Sequence, residues 1–111
     1  MDGLRDSEEW LLRAEEILEL LRNVENPFTN MDIVSEGLVT KIVVEEEKVT
    51  IYVAFARNTP GHPFAMALNW AIQARIIRDM VKVLEDKLGY FEIVDDASLQ
   101  RYYPLEDEME V

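Results

Sequence analysis

No cysteine occurs in the 111 residues, which excludes disulfides, zinc ribbons, thiol nucleophiles and a self-contained thiolate cluster site. There is a single histidine, His62, so soft-ligand chemistry passes through that one side chain or comes from outside the chain. Glycine and proline number four each, too few for an extended low-complexity chain. No apolar run approaches the ~20 residues needed to cross a bilayer. The opening Met1-Asp2-Gly3-Leu4-Arg5-Asp6 lacks the basic start and apolar stretch of a secretory signal. A soluble, cytoplasmic protein is the expectation. Positive charge is also scarce: 11 Lys and Arg stand against 23 Asp and Glu, for a net charge of −12. Such a field repels phosphates and anionic lipid, so neither nucleic acid nor membrane is an expected partner. The acids concentrate at Asp6 to Glu19, Glu45-Glu46-Glu47 and Glu106 to Glu110. Each is a solvated face by default, or a docking surface for a basic partner.

What is present fits one domain over residues 1–111, with 49% hydrophobic residues to build one core. A first helix is expected from about Ser7 to Asn23, with Trp10, Ala14, Ile17, Leu18 and Leu21 at helical spacing. Asp6 and Glu9 read as its capping box and Glu9–Arg13 as a surface pair. Pro27 requires the helix to stop near Asn26. Met31 to Glu36 reads as one helical turn closed by a left-handed Gly37.

Leu38 to Glu45 and Lys48 to Ala56 are β-branched runs joined at Glu46-Glu47, a hairpin with Val49, Ile51, Val53 and Phe55 on the core face. A long helix is expected over about Phe64 to Leu88. Pro63 suits its first position, and Ala67, Trp70, Ala71, Ala74, Ile77, Val81, Leu84 and Leu88 form its stripe. Gly89 ends it, and Tyr90 to Val94 is a third strand that Asp95-Asp96 terminates. A tail over 97–111 docks through Leu99, Tyr102 and Tyr103. The order helix, short helix, β-hairpin, long helix, strand gives an α/β fold, an α+β two-layer sandwich.

The segment Thr59-Pro60-Gly61-His62-Pro63 is the focus for function. It opens the long helix, where unpaired backbone N–H groups face outward and an imidazole is held in a set direction. Helix dipoles favour the neutral form of a histidine at their N-terminus, the form that binds metal. His62 is therefore the candidate metal ligand, and Thr59, Gly61 and His62 the candidate cofactor-binding set. Capping the helix or bonding the loop is the plainer role for this ring, and general acid–base work a third. Asp32, Glu36 and Asp95 are the carboxylates that could join a metal site. Thr59 and Asn58 read first as turn residues. Arg57 reads as a surface residue that could also hold an anion. Phe64, Met66, Trp70 and Met80 read as core, with a partner-binding face as the alternative.

These residues carry a resemblance. Val24 to Val94 resembles the PaaD-like and SufT-like iron–sulfur assembly domain family. Members have an Asp-Pro-Glu turn, where this chain has Asn26-Pro27-Phe28. An Ile-Val, two residues and Gly-Leu-Val follow, matched by Ile33-Val34-Ser35-Glu36-Gly37-Leu38-Val39. The family's Thr-Pro-x-Cys-Pro loop corresponds to Thr59-Pro60-Gly61-His62-Pro63, so His62 stands at the family cysteine.

The resemblance implies an accessory role in iron–sulfur cluster assembly or delivery. Other assembly proteins or client apoproteins are the implied partners, a homodimer is a candidate state, and an iron–sulfur cluster or iron is the candidate cofactor. A cysteine-free adaptor module of the same fold is the alternative. A small enzyme is the weakest reading, because the loop offers few catalytic parts and no catalytic residue can be named.

Overall fold

β-Branched residues set the centre of the molecule. In the computed structural model, which describes residues 13–58 and 61–105, β1 (Val39–Val44) and β2 (Val49–Val53) form the expected hairpin. Glu45 N–H to Lys48 O at 2.8 Å closes the turn through Glu46-Glu47. The pairing is antiparallel, with Ile42 opposite Ile51, Val44 opposite Val49 and an irregularity between Val39 and Lys41. α2 (Pro63–Leu84) then carries the chain back to β3 (Phe91–Asp95), which pairs parallel to β2. Parallel neighbours need such a crossover. A fourth strand, β4 (Arg101–Tyr103), adds antiparallel to β3. The sheet order is β1-β2-β3-β4.

One face of this sheet takes the helices. Val49, Ile51 and Val53 of β2 line up with Phe91 and Ile93 of β3. They share one core cluster with Ile17 and Leu21 of helix α1 (13–21) and with Ile76, Met80 and Leu84 of α2. This is the two-layer α/β sandwich expected, since amphipathic helices have one sheet face to bury against. The proposed capping box Asp6/Glu9, the Glu9–Arg13 pair and Trp10 lie outside the described residues, as do Glu106 to Glu110. α1 ends at 21, before the expected Asn23, in a turn closed by Val24 N–H to Leu21 O at 3.0 Å.

The short helix is a hydrogen-bonded turn over 33–37, with one α-type bond from Glu36 N–H to Asp32 O at 3.1 Å. Gly37 closes it at φ 83°, as the spacing implied. α2 starts at Pro63 and ends at Leu84, ahead of Leu88 and Gly89.

The helix is also rotated relative to the expected stripe. Ala67, Trp70, Ala71 and Ala74 are exposed, Trp70 by 59% and Phe64 by 70%. The face on the sheet carries Ile72, Ile76, Met80 and the expected Leu84, while the expected Ile77, Val81 and Leu88 pack partly buried against the same core. The sequence holds two apolar stripes, and the sheet takes the one with larger side chains. At ~25 cal/mol per Å² of buried apolar surface, that ladder outweighs one with three alanines. Met80 is core as read, Met66 is half-buried, and Trp70 and Phe64 are not core. Leu99 is exposed at φ 63°, so the tail docks through Tyr102 and Tyr103 without it. Tyr103 stacks on Phe91 with centroids 5.0 Å apart, and Tyr102 tilts against Phe55 at 5.4 Å.

Candidate functional site

The parallel pair decides where a site can form. β2 and β3 run the same way, so Val53 and Asp95 end side by side. In open α/β sheets, ligands collect beyond such carboxyl ends. The chain leaving β2 passes through Ala54, Phe55 and a 3-10 turn, Ala56–Asn58, towards the start of α2. Asn58 fixes that turn, its side-chain amide donating to Ala54 O at 2.6 Å and its backbone N–H to Phe55 O at 3.1 Å.

His62 is the N-cap residue of α2, in extended backbone at φ −72°, ψ 129°. Its carbonyl accepts Met66 N–H at 2.8 Å and so starts the helix. Its side chain is exposed and makes no capping bond among the described residues. Pro63 follows, so one of the four orphan donors of the first turn does not exist. Gly61 is exposed, and a Cβ added there would meet nothing within 4 Å. Thr59 and Pro60 lie outside the described residues.

The three carboxylates named from sequence each hold a structural post. Asp32 Oδ1 accepts Ser35 N–H at 2.8 Å, and the bonds from Ser35 keep its acid below the ordinary range. Glu36 receives the Asn26 amide at 2.8 Å and the Thr29 hydroxyl.

Asp95 is fully buried. Burial would raise its pKa, yet it is held down at about 2 by backbone N–H groups of Ser98, Ala56 and Ala97 and by the Tyr102 hydroxyl. The distances are 2.7 Å from Ala56, 3.0 Å from Ala97, 2.9 Å from Ser98 and 3.0 Å from Tyr102. Among the described residues no group of three His, Cys, Asp or Glu could hold a metal ion. Arg57 pairs with Asp96, whose second oxygen is buried with no partner among the described residues.

Between the 3-10 turn and α2 lies a cavity of about 280 Å³ that sequence reading did not foresee. Its polar lining is Asn26, Thr29, Glu36, Asn58, Asn69 and Gln73, over an apolar floor that includes Phe55 and Ile76. Four separate stretches of chain contribute, so no local motif announces it. The one available signal was Asn69 and Gln73, an i,i+4 polar pair on the core-facing side of α2.

The segment 24–33 shapes the rim. Phe28 N–H bonds Asn26 Oδ1 at 2.9 Å, an Asx turn, and Asn26 N–H reaches Met31 O at 2.9 Å. Glu25 and Asp32 form an isolated bridge, and Asn30 sits at φ 63°.

A family model described as iron–sulfur cluster assembly protein matches residues 14–86, about two thirds of the chain. The chain belongs to the iron–sulfur cluster assembly protein family. No curated protein and no solved structure matched it. The match runs from the first helix through the turn at 33–37, the hairpin and the loop to the end of α2. It spans the loop that carries His62, and the absence of cysteine is consistent with a histidine standing in place of the family cysteine. The assembly family is not an enzyme class. No helix among the described residues is long and apolar enough to cross a membrane.

Proposed function

We propose that this assembly-family chain is an accessory protein in iron–sulfur cluster assembly or delivery. On this reading it acts through the loop Thr59, Gly61 and His62 at the mouth of α2, with His62 as its one metal ligand and no catalytic residue. The observation that carries the proposal is the exposed, uncapped imidazole at the position of the family cysteine. A neutral imidazole ligates iron, and histidine replaces cysteine in some cluster sites. The donor set does not fit a resident cluster, because one histidine is far short of a complete coordination shell. A cluster or iron is therefore cargo, shared with ligands from a second copy, another assembly protein or a client apoprotein. The one core cluster formed by the described residues supports reading the chain as one domain, and the cytoplasm is the compartment that suits this role.

The adaptor reading is supported by the same ligand count. Anaerobic incubation with iron and sulfide, followed by absorption spectra and iron analysis, separates the two. Wild type is expected to retain iron, His62→Ala to lose it, and His62→Cys to retain more. Equal iron in wild type and His62→Ala would remove His62 as a ligand. No iron in wild type, with iron restored in His62→Cys, would identify the adaptor.

A further inference from the structure

One apolar stripe of α2, at the margin of the face that packs on the sheet, is only partly covered among the described residues. Trp70, Ala74, Ile77 and Val81 follow one another at spacings of four, three and four, so they lie along one side of the helix. Trp70 and Ala74 are exposed, and Ile77 and Val81 are half-buried. The last three form one wall of a groove of about 370 Å³, whose other wall is Tyr102, Tyr103 and Leu105. That second wall belongs to β4 and its end, and β4 has no outer neighbour among the described strands. The groove thus lies between an apolar helix face and an open sheet edge.

Charge says what kind of segment fits. Arg75, Arg78 and Lys82 are exposed at spacings of three and four, and form a row along the flank of the apolar stripe. Arg78 and Lys82 also line the groove. None of the three makes an ion pair among the described residues; Arg22, Lys48, Arg57 and Arg101 do, while Arg13, Lys41 and Lys87, which lie apart from this row, do not. On a chain of net charge −12, three cations in a row without an ion pair, with Asp79 the one acid among them, stand beside an apolar groove.

We propose that this surface docks an acidic amphipathic segment of a partner protein, with apolar anchors in the groove and carboxylates on Arg75, Arg78 and Lys82. The helix-in-groove and strand-addition modes both suit such a surface. An anionic membrane fits less well, since the remaining surface repels it. The inference is independent of His62 and of any metal.

The test uses the full-length protein and a synthetic helical peptide with leucines at i, i+3 and i+7 and glutamates elsewhere, followed by fluorescence anisotropy. The glutamate peptide is expected to bind at least tenfold more tightly than its lysine counterpart. The charge-reversed double variant Arg78→Glu, Lys82→Glu, whose sites are solvent-exposed, should lose at least tenfold in affinity. Ile77→Asp should lose binding as well, with circular dichroism confirming the fold. Equal binding of the two peptides, or no loss in the double variant, would overturn the proposal. So would a concentration-dependent dimer in sedimentation that the double variant dissolves, because a second copy would then be the occupant. Binding to phosphatidylserine vesicles but not to the glutamate peptide would overturn it in favour of a membrane. Affinity that rises tenfold when residues 106–111 are removed would overturn it in favour of the chain's own acidic end.

Discussion

The Tyr102 hydroxyl lies 3.0 Å from Asp95 Oδ1 and donates to it where β3 meets β4. The bond ties the edge strand to the hub that also holds the chain leaving β2. Tyr102→Phe removes one charge-assisted donor and keeps the ring against Phe55. The expected loss is about 1–2 kcal/mol in urea unfolding. A change below the scatter of the measurement would show that the carboxylate is satisfied without this hydroxyl.

The same carboxylate sets an acid limb. Its folded pKa, about 2, lies below the ordinary aspartate value of 3.8. Its contribution is therefore complete above the unfolded value and is lost as pH falls towards 2, an amount of about 2 kcal/mol. Tyr102→Phe raises the folded pKa, so in that variant the loss is smaller and is complete at a higher pH. Asp95→Asn should flatten this part of the stability–pH curve while lowering stability at neutral pH. Titration monitored by circular dichroism between pH 2 and 5 reads all three chains. The Tyr102 hydroxyl has the reciprocal behaviour: burial, the Asp95 bond and the nearby Asp95 and Asp96 charges push its pKa up.

Gly37 supplies φ 83° with open space where a Cβ would stand. Gly37→Ala therefore tests backbone strain alone, with an expected cost of about 1 kcal/mol. Thermal unfolding should register it as a drop of several degrees.

His62 is exposed and uncapped, so His62→Ala should change stability by less than about 0.5 kcal/mol. His62→Asp should add about 1 kcal/mol by capping the first turn of α2. Loss of stability in the alanine variant would mean that the ring does structural work and would weaken its reading as a ligand.

Asn26 joins the turn at 24–33 to Glu36 through its amide and holds Phe28 N–H with its oxygen. Asn26→Ala should cost about 1–2 kcal/mol and raise hydrogen exchange across residues 26–31.

Local signals were legible where one physical cause dominates. The alternation in β2 placed Val49, Ile51, Val53 and Phe55 inside, Pro63 marked the helix start, and Gly37 the left-handed turn. The rotation of α2 was not, because two apolar stripes compete along it and only the sheet's side-chain volume chooses between them. β4 was missed because three residues before a proline carry little period. Asp95 looked like a strand stop, whereas it is a buried acceptor whose donors come from residue 56 and from 97, 98 and 102. The polar cavity was hidden for the same reason: its lining comes from distant parts of the chain. The loop motif pointed to His62 and the family, but Thr59 lies outside the described residues and Gly61 offers space and no donor beyond its backbone.

β2 meets β3 in parallel, with Val49 opposite Phe91 across the whole of α2. That middle seam cannot zip from a tight turn as the hairpin does. It must wait for a large loop to close, so refolding should show early hairpin and helix signals and slower consolidation of the core around Ile51 and Ile93.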